Sequence, residues 1–535
     1  MQRALGRFVI RHYPLCVAMV LAVMAFNVFI GLASRRIDDS DEARYGVSAF
    51  EMLRSKSFLV TTYAERPEYW NLKPPLGYWL IAGSYSLFGT SALAMRLPSA
   101  LFALAVVAAT MGFCKRWCNR RQAILSGLIV ATSFGFLSHH GARSGDLDAC
   151  LTFTLLLLAI QLPRLGDSPL RVLTLGPILG CGFLLKSFAI LPMIAVGGAY
   201  GLATGSWRKQ RLGPCLVSLG ALLAMVATWA GARSQADRSF YFVRRMVVED
   251  LLARSTSVID KGTSSPLSYL ASLGDRFAPW PFLIGAAALL VWLDRRRAVA
   301  AGGLPRRRWL RRKGVWPLLA LWIAIPLTLF SLARTQHHWY LDPIYPACAM
   351  LAAPALLYLA GRAPRRLQAA ALIGFVALPL AFCEGRVLKR VLVRDRMPES
   401  QRFLYALRRA SHRCREMRAT FPLEHSERFI LEVVDGFRVV EDGTGRWPAR
   451  PPQGLGGGAP AGAGAGDDVC VLVARGRHPH SHRFRHWRGP GPDRGGWPPA
   501  PGWVLAQESA TYALFANSTA AAGLAAPLQG PPPPS

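Results

Sequence analysis

Acidic side chains are scarce in this 535-residue chain: 31 Asp and Glu stand against 63 Lys and Arg, a formal net charge of +32. Charge of either sign is also scarce, at 18% of residues, where a soluble protein carries about a quarter. Together with 52% hydrophobic residues, that shortage excludes both a string of soluble domains and a disordered chain. Cysteine is too sparse for a disulfide scaffold, with ten in the whole chain. Cys16, Cys150, Cys181, Cys215, Cys348 and Cys383 sit in apolar runs, where Cys acts as a small hydrophobe. Cys114 and Cys118 flank a basic turn with no second ligand pair, which argues against zinc. Only Cys414 and Cys470 lie in polar sequence, and they can pair if that region faces an oxidising compartment. No internal repeat is evident.

What is present is a succession of apolar runs. A bilayer core takes about 20 apolar residues in a helix, with about 17 as the lower limit. Runs near that length are Cys16–Ala33, Leu97–Phe113, Ala123–Leu137, Ala149–Leu162, Val172–Leu185 and Phe188–Thr204. Leu212–Ala232, Phe277–Leu293, Val315–Ala333, Leu341–Ala360 and Leu367–Cys383 follow. The mean hydropathy of +0.25 agrees. The fold class is therefore an all-α polytopic membrane protein of about eleven transmembrane helices. The fourth and fifth runs are short, so their limits are the least certain. No small-residue cleavage site follows the first apolar run, so it reads as a retained helix and not a signal peptide.

The basic residues that would suggest nucleic acid in a soluble protein here alternate with the spans, so no nucleic-acid partner is expected. They give the orientation instead. Arg3/Arg7/Arg11, Lys115/Arg116/Arg120/Arg121, Arg208/Lys209/Arg211, Arg295–Lys313 and Arg362/Arg365/Arg366 fall on one side, while the opposite short turns hold only Arg143, Lys186 and Arg334. Positive loops stay inside, so the N-terminus is expected in the cytoplasm and everything after about Arg386 outside, in the periplasm or its equivalent. Contact with anionic membrane lipids is a second use of the same charges.

Two external loops, residues 34–96 and 233–276, are too long to be mere connectors. Within the first, Leu76–Gly89 is apolar yet too short to span and reads as an interfacial or re-entrant helix. Residues 1–386 form the membrane domain, and 387–535 a small external α/β domain. In the latter, Pro398–Thr420 reads as an amphipathic helix, and Phe429–Val434, Arg438–Glu441, Val469–Val473 and Tyr512–Phe515 as strands. Gly445–Gly466 and His478–Gly502 are Gly/Pro/Arg-rich and read as a flexible insert.

Chemistry concentrates in the external loops. Asp38-Asp39-Ser40-Asp41-Glu42-Ala43-Arg44-Tyr45 sets four carboxylates within five residues of a chain short of acids. Such a run is ordinarily a solvated loop. Here Asp41 and Arg44 lie three apart at the start of a helix-like stretch and share a face, so an ionised carboxylate stands beside a phosphate-binding guanidinium. In Tyr69-Trp70-Asn71-Leu72-Lys73-Pro74-Pro75-Leu76-Gly77-Tyr78-Trp79, one lysine sits among aromatics before a rigid Pro-Pro. Alone such a lysine is most often an interfacial anchor that snorkels, and the stiff turn would also fix its ammonium in place as a phosphate ligand. His139-His140-Gly141-Ala142-Arg143-Ser144-Gly145-Asp146-Leu147-Asp148 precedes the fourth span, and acids at a helix mouth commonly line cavities. Its paired histidines alone are weak grounds for a metal.

These motifs resemble one family. Asp41-Glu42-x-Arg44-Tyr45, Lys73-Pro74-Pro75-Leu76-x-Tyr78-Trp79, Phe88-Gly89 and Arg96-Leu97-Pro98-Ser99-Ala100 look like the first external loop of GT-C glycosyltransferases. The similarity is to the aminoarabinose transferase branch, related to the protein O-mannosyltransferases. Arg143-x-x-x-x-Asp148, Phe183-x-x-Lys186, Pro279-Trp280 and Trp339-Tyr340-Leu341-x-Pro343-x-Tyr345-Pro346 fit the same pattern, in order over roughly residues 31–361.

The resemblance implies an inverting transfer of a monosaccharide from a polyprenyl-phosphate donor to a lipid, glycan or protein acceptor at the external face. Asp41 would be the base and Asp148 a second catalytic carboxylate. Arg44 and Lys73 would hold phosphate, with Tyr45, Arg143, Lys186 and Tyr345 as further substrate-binding residues. The family's metal site is not matched. The residue before the lysine, typically acidic, is Leu72, and Ser264-Ser265-Pro266 stands where a histidine ligand is expected, so a divalent cofactor is possible but unsupported. The alternatives are a protein O-mannosyltransferase-like activity and, in another class, a transporter or flippase of lipid-linked sugar. Transporters place ionisable groups near the midplane, often in two related halves, whereas these acids cluster in external loops.

Overall fold

The computed structural model describes residues 2–39, 41–69, 71–138, 140–237, 240–253, 265, 267–300, 314–410, 414–441, 469–474, 503–508 and 512–517. It is largely helical and divides into two compact units.

The first unit comprises Met1–Ala33, Glu51–Leu87 and Leu93–Asp395. Among the described residues, six helical stretches are long and apolar enough to cross a membrane: Ala92–Trp117, Leu170–Thr204, Leu212–Ala236, Val315–Leu332, His338–Gly361 and Arg365–Arg394. A seventh results if Ser268–Arg276 and Trp280–Arg297, bent by 101°, are one span, and Tyr13–Phe29 is a shorter apolar helix of 17 residues. The chain is thus a multi-pass membrane protein. Each of the eleven apolar runs is helical for most of its length, but the fifth and sixth merge into one helical stretch that turns at Ser187, where φ is +46°. Lipid demands this architecture, because a helix satisfies its backbone groups internally.

The lipid-exposed side chains are as apolar as the buried ones: Leu202, Leu212, Val217 and Leu332 are all more than 60% exposed. Inside the unit, Val20, Met24 and Val28 pack with Val107, Ile129 and Val130 in one core. Arg120–Ala131 packs against Tyr13–Phe29 and Tyr345–Gly361, while Leu175–Lys186 packs between Asp148–Gln161 and Leu212–Ala236. At the last contact the Gly176 N–H donates to Ser218 Oγ at 2.8 Å. The stretch expected to be interfacial or re-entrant is a 13-residue helix, Leu76–Phe88.

The second unit comprises Ser34–Phe50, Phe88–Ala92 and Arg396–Ser535. Its centre is a mixed five-stranded sheet. We label the strands β1 (Glu416–Ala419), β2 (Arg438–Glu441), β3 (Val469–Ala474), β4 (Trp503–Glu508) and β5 (Tyr512–Asn517). Their spatial order is β2-β1-β3-β5-β4; β1 pairs in parallel with β2 and β3, and β5 is antiparallel to β3 and β4. Cys414 and Cys470 form a disulfide with Cα atoms 5.8 Å apart.

The expected strands at 438, 469 and 512 are present, and β4 adds one the sequence did not suggest. Two expectations need correction. The helix read as Pro398–Thr420 is confined to Glu399–Ala410, and β1 follows it. Phe429–Val434 is helical, continuing from His425–Arg428. A short apolar run has no decisive period, so its flanks decide. Glu424 and Glu427 form a reciprocal capping box that starts this helix, and Gly436, at φ +78°, stands just past its end. The Gly/Pro/Arg-rich stretches Gly445–Gly466 and His478–Gly502, together with Trp70, His139, Ser264 and Pro266, lie outside the described residues.

Candidate functional site

In the second unit the acidic run opens the helix Asp41–Ser55, where carboxylates favour the positive N-terminal end. Its four carboxylates are not equivalent. Arg35 pairs with Asp38 and lies 3.7 Å from Glu42, and the Asp38 N–H donates to Glu42 Oε2 at 2.9 Å. Asp39 Oδ1 accepts from the Ser426 N–H at 2.8 Å. Burial and the neighbouring Glu424 carboxyl push the Asp39 carboxyl up to about 8. Asp41, half-buried, makes no hydrogen bond or ion pair with any described residue. Three of the four are therefore held in the scaffold, and Asp41 is left for other work. On the same helix Tyr45 is buried, and Arg44, also buried, brings Nη1 to 3.1 Å from His425 Nε2.

The first unit holds Lys73, Arg143, Asp148, Lys186 and Tyr345. Asp148 begins the helix Asp148–Gln161, and Lys186 ends the helix Leu175–Lys186, each at the terminus its charge favours. Lys186 Nζ donates to Asp148 Oδ1 and Oδ2 at 2.5 and 2.6 Å. Asp148, Lys186 and Arg276 are the charged groups acting on Asp342, a buried carboxylate in the turn His338–Ile344. Tyr345 follows that turn. It is buried, with its ring centroid 5.2 Å from that of Phe277. Its hydroxyl lies so close to Gly135 that a Cβ there would stand 2.1 Å away, so this contact requires glycine. Arg276 Nη1 donates to Ser138 Oγ at 3.2 Å. Asp342 and Arg276 were not singled out from the sequence; applying the rule that marked Asp148, an acid at a helix mouth, would have found Asp342.

Arg143 is buried. Its Nη1 donates to the carbonyls of Asn27 and Val28 at 2.6 and 2.9 Å, and Nη2 donates to that of Ile30 at 2.8 Å. These are the orphan carbonyls at the end of the helix Tyr13–Phe29, and a cation there caps the helix. Asp395 lies 3.7 Å from Arg143 Nε. Nearby in sequence, His140 Nδ1 is 3.1 Å from Asp146 Oδ2, and the His140 ring stacks on Trp339 with centroids 3.8 Å apart. Lys73 is half-buried, its N–H donating to the Asn71 carbonyl at 2.8 Å.

Leu72, which precedes it, is 3% exposed and belongs to the apolar core. A buried leucine has no ligand atom, so position 72 cannot supply one to the metal that the resemblance implies.

Comparison with known proteins bears on these residues. A family model described as dolichyl-phosphate-mannose-protein mannosyltransferase matches residues 72–230. An undecaprenyl phosphate-α-4-amino-4-deoxy-L-arabinose arabinosyl transferase of Pseudomonas aeruginosa is 29% identical over 360 residues, 63% of this chain and 59% of the relative. One from Pseudomonas fluorescens is 28% identical over 355 residues, 64% and 56% of the two chains. The chain thus spans under three fifths of the length of these curated relatives. The crystal structure of ArnT from Cupriavidus metallidurans bound to undecaprenyl phosphate superposes with a TM-score of 0.65 at 17% identity, covering 95% of this chain and 98% of that one. The chain has the fold of ArnT, and in sequence it resembles the aminoarabinose transferases among the GT-C glycosyltransferases.

Proposed function

We propose that the chain is an integral inner-membrane glycosyltransferase that moves a monosaccharide from a polyprenyl-phosphate donor to an acceptor on the external face, with inversion. The observation that carries the reading is the sorting of the acidic run: within the motif that resembles the family, Asp41 alone is left without a hydrogen bond or ion pair to the described residues. The matched family model and the arabinosyl transferase relatives support the donor class.

The chemistry follows from the residue types. Asp41 takes the proton of the acceptor hydroxyl as its oxygen bonds to the anomeric carbon. The bond from that carbon to the phosphate oxygen breaks, and polyprenyl phosphate leaves with the electron pair. Arg44 and Lys73 stabilise the charge that grows on the phosphate. Asp148, held by Lys186, orients the polar groups of the substrate, and Tyr45 and Tyr345 contact it. Arg143, whose guanidinium caps a helix end, serves by fixing the loop that leads to Asp148.

About eleven helices, with the N-terminus inside and the C-terminal α/β domain outside, complete the proposal. Its supports are the Lys/Arg asymmetry and the Cys414–Cys470 disulfide, which belongs in an oxidising compartment. The relatives' names favour a lipid acceptor, while the mannosyltransferase model at residues 72–230 favours a protein acceptor as the second reading. The test uses purified protein in detergent with undecaprenyl-phosphate-linked sugars, scoring release of undecaprenyl phosphate. Movement of lipid-linked sugar across liposomes with no cleavage would make the protein a carrier.

A further inference from the structure

Asp342 is 2% exposed, and its side chain makes no hydrogen bond or ion pair with any described residue; Oδ2 is wholly enclosed. Such a group weakens a fold, because its lost hydration is not replaced. The cations that act on it already have partners: Lys186 is bidentate to Asp148, and Arg276 donates to Ser138. Asp342 is therefore an acceptor whose donor is not supplied by the surrounding described residues, beside a carboxylate–lysine pair and one turn before the buried Tyr345. A leucine there would cost the fold nothing in hydration, so stability does not account for the aspartate.

We infer that Asp342 binds the sugar of the lipid-linked donor, its carboxylate accepting hydrogen bonds from a hydroxyl or amino group of the ring. This rests on the transferase reading for the class of ligand. It concerns binding, and its test is independent of turnover. Affinities of the full-length protein in detergent would be measured for undecaprenyl phosphate alone and for the same lipid carrying 4-amino-4-deoxy-L-arabinose or mannose. The two sugars separate an amino from a hydroxyl donor. The variants are Asp342→Leu and Asp342→Asn.

The unaltered protein is expected to bind one sugar-bearing lipid more tightly than the bare lipid. Asp342→Leu should remove that preference, weakening the sugar-bearing lipid about 10–100-fold, the range of a lost hydrogen bond to a charged group. Affinity for bare undecaprenyl phosphate should not change, and the melting temperature should hold or rise. Asp342→Asn, still an acceptor, should lose less. The inference is overturned if neither sugar adds affinity, if Asp342→Leu leaves the preference intact, or if it lowers the melting temperature and weakens both lipids alike. Sugar preference without release of undecaprenyl phosphate would refute the transferase reading and leave Asp342's role standing.

Discussion

Lys186 donates to both carboxylate oxygens of Asp148 and so joins the end of one membrane helix to the start of its neighbour. The two side chains are 13% and 4% exposed, which makes this a buried pair. Removing one member strands the other charge, so Lys186→Met should destabilise the protein by about 3–5 kcal/mol. Adding Asp148→Asn to that variant should recover most of the loss. Thermal unfolding in detergent reads both, and a double variant no more stable than the single would refute the coupling.

Asp41→Asn keeps size and packing and removes the proposed base, so turnover should fall about 10²–10⁴-fold with the melting temperature unchanged. Lys73→Ala should raise KM for the donor and lower kcat together, because phosphate contacts exist in the ground state and strengthen as the bond breaks. Asp148→Asn should cost less turnover than Asp41→Asn. Near-normal turnover in Asp41→Asn would remove the base assigned here.

Much of this was legible in the sequence because lipid imposes a simple rule: long apolar runs become helices, and polar groups stand out against them. Asp148 stood out that way, whereas Lys186 and Tyr345 entered only through the resemblance to the transferase family. Asp342 escaped because it is a single acid within a run read as one span, and Arg276 because it closes a short helix before a bend of 101°. The second unit was harder. The apolar run Phe429–Val434 carries no period, and only the Glu424/Glu427 box and Gly436 mark it as helical. Nor could the sequence separate Asp41 from its neighbours, since the ties of Asp39 come from Ser426 and Glu424, almost four hundred residues away.

The disulfide closes a loop with a sequence separation of 56 residues and ties the approach to β1 to β3 at the centre of the sheet. Cys470→Ser should therefore lower the stability of this unit by about 2–4 kcal/mol. Protein made where thiols stay reduced should behave like the variant. Limited proteolysis of the C-terminal region with and without reductant measures this, and equal resistance in both states would contradict it.

With Leu72 in the apolar core, activity should survive extensive dialysis against EDTA, and zinc or manganese should not raise it. Loss of transfer on chelation with recovery on adding metal would show another ligand set, for which His140 and Asp146, 3.1 Å apart, are the first residues to replace.

Asp39 gives the second unit a pH dependence of definite sign. Its carboxyl is raised from an ordinary 3.8 to about 8 by burial and by the Glu424 carboxyl beside it. The folded chain therefore retains a proton that the unfolded chain releases above about pH 4. The stability this contributes is complete below pH 4, declines as pH rises, and is gone above about pH 8. Asp39→Asn holds the neutral form at every pH. The variant's stability relative to the unaltered protein should grow between pH 4 and pH 8 and then level off. Glu424→Gln, by removing the like charge, should narrow that difference. Melting temperatures of the three full-length proteins across this range decide the matter: a difference that shrinks as pH rises would mean that the Ser426 N–H, which favours the ionised form, outweighs burial and Glu424.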